Sequence, residues 1–211
     1  MTQSFIYLFD PLCGWCYGAS AGLNILASRP GVTVDLLPTG LFAGDGVRAL
    51  DAGMTSHIWA ADQRIAQMTG AAFTERYRDQ VIAAGGRLDS GPATLALTAV
   101  SLSAPARERE ALSAIQSARY VEGADITDAA ILAKVLAPLN LTEAAAMIAE
   151  PQAGLVAADQ GRTIYARTLI RRFGLSGVPS LIRDDGQGLA LADASALYRN
   201  PLSLLQTDRV A

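Results

Sequence analysis

Histidine and cysteine are scarce in this chain. Its 211 residues carry one histidine, His57, and two cysteines, Cys13 and Cys16. That excludes a closed single-chain Cys/His zinc site, which takes four ligands, and no metal is expected. It also excludes c-type haem attachment, because Tyr17 stands where a histidine would have to follow the second cysteine. Lysine is nearly missing as well: Lys134 is the one lysine among 17 basic residues. A formal net charge of −3 leaves no basic footprint for nucleic acid. No apolar run reaches the ~20 residues of a membrane helix. The richest stretch, 94–102, is broken by threonine and serine and lies between Pro92 and Pro105. Hydrophobic residues still make up 51% of the chain, enough for one large domain or a domain carrying an insertion. No secretory leader precedes the first apolar run, so the expected location is cytoplasmic, where a dithiol rests reduced.

The two cysteines that are present stand together as Cys13-Gly14-Trp15-Cys16. The apolar run Phe5-Ile6-Tyr7-Leu8-Phe9 precedes them, and a segment with helical character follows. Strand, turn with Cys-x-x-Cys, then helix is the layout of a thiol–disulfide redox site. At a helix start the N–H groups favour a thiolate, which makes Cys13 the attacking sulfur. Cys16 lies one turn on, within disulfide reach, as the resolving thiol. A purely structural disulfide is a poor reading, since so short a loop constrains little of the unfolded chain. Asp10 is the nearest acid in sequence, and Asp10-Pro11 reads as a turn after a strand. Far along the chain, Gly177-Val178-Pro179-Ser180 reads as a turn entering an apolar strand, where a proline is tolerated.

Together, Phe9-Asp10-Pro11-Leu12-Cys13-Gly14-Trp15-Cys16-Tyr17 and Gly177-Val178-Pro179-Ser180 resemble the DsbA-like family of the thioredoxin superfamily, in particular its short leaderless protein-disulfide isomerase branch. The resemblance spans essentially the whole chain. It implies an α/β, thioredoxin-like fold with an all-helical insertion domain. It implies Cys13 as nucleophile, Cys16 as resolving thiol and Pro179 as a cis-proline beside them. It further implies that the backbone of Val178 binds an extended substrate, with Gly14 and Trp15 also at the substrate. His57 is a weaker candidate for substrate contact, while Phe42 and Trp59 read as core. No cofactor is implied, although glutathione fits as a co-substrate. The implied partners are protein or small-molecule thiols and disulfides. Two features depart from the family. Gly14-Trp15 replaces the Pro-His pair of DsbA, so the disulfide is expected to be a weaker oxidant, in the range of about −180 to −270 mV. Tyr7 occupies the position, six residues before Cys13, where many relatives carry a buried acid. Two alternatives share the fold: a 2-hydroxychromene-2-carboxylate isomerase or kappa-class glutathione transferase, whose members generally have serine at the first active position, and a non-catalytic chaperone or binding module.

The pattern predicts strands over 3–9 and 32–38 around a helix over 14–28. Helices follow over about 55–69, 73–84, 92–103, 105–121, 128–137, 142–149 and 153–173, with no strand between 55 and 150. A hairpin of strands 180–184 and 188–192 turns on Asp184-Asp185-Gly186, and a last helix covers about 194–206. Asn140 with Glu143 reads as a helix-capping pair. The expected division is 1–42 and 153–211 for the two parts of the thioredoxin-like domain, and 43–152 for the helical insertion.

Overall fold

The computed structural model describes residues 2–184 and 186–205. Its strands are β1 (Gln3–Phe9), β2 (Val32–Pro38), β3 (Arg48–Ala49), β4 (Arg87–Leu88), β5 (Ser180–Asp184) and β6 (Leu189–Ala192). Four of them form a mixed sheet in the order β2-β1-β5-β6. β1 runs parallel to β2, with Gln3 opposite Val32 and Phe9 opposite Pro38. β5 is antiparallel to β1 and to β6. A parallel pair cannot be joined by a tight turn. Residues 14–27 supply the crossover as α1 (Gly14–Gly18) and α2 (Ser20–Ala27).

Alternation along β1 decides which layer covers which face. Ile6 and Leu8 join Ile182 against Ala166 and Leu169 of the long helix on one side. Phe5, Tyr7 and Phe9 face the other way, into a core with Leu23 and Leu26 of α2 and Leu181 of β5. β1 is thus buried on both faces, and its apolar run at 5–9 follows from that position.

Between β2 and β5 the described chain is mostly helical. It comprises α3 (Ala52–Thr69), α4 (Glu75–Tyr77), α5 (Gly91–Ser103), α6 (Glu108–Tyr120), α7 (Ala129–Leu136), α8 (Thr142–Ala149) and α9 (Ala153–Phe173). This is the expected α/β architecture with a helical insertion. Among the described residues, no helix is long and apolar enough to cross a membrane.

Several local expectations are corrected. The helix over 14–28 is two helices that meet at Ala19, so the aligned peptide dipoles behind Cys13 are fewer than expected. The helix over 73–84 is one turn, α4, followed by a π-helical segment Arg78–Ile82. β3 and β4 form a two-stranded ribbon, with β4 inside the region read as strand-free, and each is too short to show a period. Asn140 caps nothing with its side chain. It adopts φ 54° and closes the 3₁₀ turn Ala137–Leu139, while α8 starts after Leu141. The last helix is replaced by two 3₁₀ turns, Ala194–Tyr198 and Pro201–Leu204, where Pro201 cannot continue a helix. The strands flanking the hairpin turn are as expected, with Asp185 itself outside the described residues.

Arg162 of α9 ties the helical layer to the sheet edge. It donates to the Leu36 carbonyl of β2 at 2.7 Å, to Thr98 Oγ1 of α5 at 3.1 Å and to Glu108 Oε1 of α6 at 2.5 Å. Burial nevertheless outweighs the arginine and pushes the Glu108 carboxyl up to about 7. A carboxyl raised in the folded state binds its proton more tightly there than when unfolded. Its contribution therefore turns unfavourable as pH rises from its unfolded value, about 4.3, towards 7. Glu108→Gln removes that titration. We expect the loss of stability between about pH 5 and pH 8 to shrink by on the order of 1–3 kcal/mol in this variant, read from denaturant midpoints at the two pH values.

Candidate active site

The turn after β1 is held by Asp10, which is fully buried. Its Oδ1 accepts from the Leu12 amide at 2.9 Å, and the Cys13 amide donates to the Asp10 carbonyl at 3.1 Å. Its Oδ2 accepts from Ser90 Oγ at 2.7 Å and from the Phe42 amide at 3.2 Å. Asp10 therefore makes the turn, as its sequence suggests, and also pins it to the loop after β2 and to the start of α5. Burial raises its carboxyl despite these donors.

Cys13 follows with extended backbone and caps α1, accepting the Tyr17 amide at 3.0 Å. It is less open than a helix-start cysteine suggests. Cys13 is 8% exposed and Cys16 1%, and both are free thiols. The difference lies in what they face. Cys13 lines a cavity of about 330 Å³ with Gly14 and Trp15, while Cys16 is packed beneath. Burial, and Cys13 beside it, push the Cys16 thiol well up. Tyr7, in the place of an acid, is wholly buried and its hydroxyl donates to the Cys16 carbonyl at 3.3 Å.

The distant Gly-Val-Pro-Ser segment comes to the same place. Cys13 Sγ lies 3.7 Å from the Val178 carbonyl, which it meets as a donor. The Val178–Pro179 peptide is cis, and Ser180 Oγ donates to the Gly177 carbonyl at 2.8 Å as β5 begins. Trp15 is 37% exposed. Its carbonyl accepts from the Tyr198 hydroxyl at 3.1 Å, and the two rings meet edge-on.

Of the groove candidates, His57 is exposed at the cavity rim, with Ile58 beside it. Phe42 packs against the main core, as expected, and lines the cavity as well. Trp59 lies off this cavity, half-buried, with the Arg78 guanidinium 5.5 Å above its ring.

Three residues of the site carry no local motif. Asp62 of α3 is 3% exposed and accepts from the Tyr77 hydroxyl at 3.0 Å through Oδ2. Arg119 of α6 is 1% exposed, with its guanidinium over the rings of Tyr77 and Tyr120 at 5.3 and 5.7 Å. Asp62, Tyr77 and Arg119 all line the cavity that Cys13 lines. A methyl group on residue 14 would stand 2.2 Å from Asp62 Oδ1, so the absence of a side chain between the cysteines lets the Asp62 carboxyl sit against the motif. The one signal available in sequence is that Asp62 shares a helical face with Ile58 and Ile65, an acid on an apolar stripe. Among the described residues no cluster suited to a metal ion occurs.

The fold is similar to that of several solved structures. A cytosolic disulfide reductase, DsbM from Pseudomonas aeruginosa, is 30% identical, with a TM-score of 0.83 over 95% of this chain and 94% of that one. A second structure of the same protein holds glutathione and aligns with a TM-score of 0.78 at 30% identity, covering 95% of each chain. A candidate protein disulfide isomerase from Nitrosomonas europaea is 22% identical, with a TM-score of 0.76 over 96% of this chain and 97% of that one, and shows the same fold. No curated protein matches the sequence. The family model of the DSBA-like thioredoxin domain matches residues 6–198. By that match the chain belongs to the DsbA-like family of thiol–disulfide oxidoreductases.

Proposed function

We propose that this protein is a disulfide reductase that works through a mixed disulfide at Cys13, with glutathione as its co-substrate. The observation that carries the reading is the position of Cys13, which lines an open cavity beside the Val178 carbonyl with Cys16 buried behind it. The Cys13 thiolate attacks a substrate disulfide, forms a sulfur–sulfur bond and releases the first thiol. Cys16, deprotonated, then attacks Cys13 Sγ, closes the Cys13–Cys16 disulfide and releases the second thiol. Two glutathione molecules return the pair to the dithiol and leave as glutathione disulfide. The main chain at Val178 and Pro179 aligns the substrate, and Gly14, Trp15 and the His57 rim flank it. The 30% identity to a cytosolic disulfide reductase supports the reductive direction and a reducing, cytoplasmic setting. A cysteine at both active positions favours this chemistry over that of the related isomerases and transferases.

The test is to challenge single-cysteine variants with glutathione disulfide. Cys16→Ser is expected to accumulate a stable adduct carrying one glutathionyl group at Cys13, seen by intact-mass measurement and peptide mapping. Cys13→Ser is expected to accumulate none. An adduct that forms readily on Cys16 would reverse the roles. Equilibration of the wild type with defined glutathione ratios is expected to give a potential between about −180 and −270 mV, below the oxidising value of DsbA.

A further inference from the structure

Attack by a thiol and departure of a thiolate both move a proton, and the groups around Cys13 are unequal candidates to carry it. Tyr7 is sealed against the Cys16 carbonyl. Asp10 has both oxygens occupied by Leu12, Phe42 and Ser90, and it lies on the Cys16 side of the turn. His57 is exposed at the rim. Asp62 differs from all three. It is buried, it lines the Cys13 cavity, and its Oδ1 is turned onto Gly14 of the motif while Oδ2 is held by Tyr77.

We propose that Asp62 is the proton-exchange residue of the Cys13 cavity, taking the Cys13 proton before attack and returning it to the departing sulfur of the substrate. The proposal rests on Cys13 being the nucleophile. The steps balance. The Asp62 carboxylate and the Cys13 thiol become a carboxylic acid and a thiolate. The thiolate and RS–SR′ become a mixed disulfide and R′S⁻. The acid and R′S⁻ become a carboxylate and R′SH. No external acid or reductant enters.

The surroundings of Asp62 suit that exchange. Burial pushes its carboxyl up to about 7, while the Tyr77 hydroxyl and the Arg119 charge pull it back. The proton is thus held neither too tightly nor too loosely near neutral pH. Arg119 supplies the positive charge that lets the carboxylate exist in the cavity, and Tyr120 stands behind it.

Two reagents separate this role from a structural one. Iodoacetamide needs only the Cys13 thiolate, because iodide leaves without a proton. Exchange with glutathione disulfide releases a far more basic thiolate, whose departure a delivered proton assists. In a Cys16→Ser background near neutral pH, adding Asp62→Asn is expected to speed reaction with iodoacetamide several-fold, since the competing negative charge is gone. The same change is expected to slow exchange with glutathione disulfide several-fold. Equal changes of both rates, or none, would overturn the proposal. Should Asp62→Asn fail to fold, Tyr77→Phe decides. It removes the hydrogen bond that lowers the Asp62 carboxyl, so the inflection near pH 7 in the exchange rate should move upward. An unmoved inflection, or one that disappears in His57→Gln, overturns the assignment to Asp62. Absence of any Cys13 adduct in Cys16→Ser itself marks failure of the nucleophile reading instead.

Discussion

Cys13→Ser is expected to reduce disulfide exchange to the uncatalysed background while leaving the fold intact. Serine is close to cysteine in size, and the contact of the Cys13 sulfur with the Val178 carbonyl is a long one, 3.7 Å. The hydroxyl cannot replace the sulfur as a nucleophile towards disulfides, because exchange proceeds through a thiolate. Cys16 cannot take over: it is 1% exposed, packed below the cavity, and its thiol is pushed well up by burial. Reduction of an insulin-type or glutathione-type disulfide, followed alongside the thermal transition, checks both halves of the statement. Residual activity comparable to the wild type would place the chemistry elsewhere.

Gly22→Ala is expected to be the most damaging small substitution for stability. In an exposed helix interior the change from glycine to alanine gains roughly 1 kcal/mol. Here the sign reverses. A methyl group on residue 22 of α2 would lie 1.9 Å from the Leu197 carbonyl oxygen and 2.7 Å from its carbon. The obstacle is main chain, which cannot rotate away as a side chain does. We expect a loss of about 3 kcal/mol, in the range of overpacked cores, measured as a shift of the urea midpoint. The displacement should also be felt at the active site, because Tyr198 next to Leu197 holds the Trp15 carbonyl. A stabilised variant would contradict the packing of Ala194–Tyr198 on α2.

The legible parts of this chain are those whose physics is local. The apolar run 5–9, the alternation at 32–37 and Gly174 after a long helical pattern are each written within a few residues, and the elements there have the expected bounds. The Cys-x-x-Cys spacing is local as well, and Gly177-Val178-Pro179-Ser180 gains meaning through its resemblance to a known family. What stayed hidden depends on neighbours distant in sequence. Asp62 shows in the sequence only as an acid on an apolar helical stripe, and its role takes shape when Tyr77 and Arg119 are brought around it. Gly14 looks like loop filler until Asp62 is placed 2.2 Å from its missing methyl group. The ribbon of β3 and β4 is two residues wide, too short for any periodicity. Asn140 carries the composition of a cap, but its left-handed backbone serves the turn before it. In each case the composition is correct, and the deciding partner lies elsewhere in the chain.

The strand that carries the motif also sets a condition on how the molecule is made. β1 is the second strand of the sheet, and its partner β5 lies far downstream, as does Val178, 165 residues after Cys13. Contacts of such sequence separation form slowly, because a long loop must close before they contribute. During synthesis, β1 and both thiols therefore leave the ribosome well before the segment that covers them. In that interval the early chain has only β2 to pair with, along one edge. The other edge of an apolar strand stays open, with two reactive sulfurs beside it, and such intermediates are prone to misassembly. The interval ends only when β5 itself arrives, so truncation before β5 should leave an aggregation-prone product that retains the complete Cys-x-x-Cys motif.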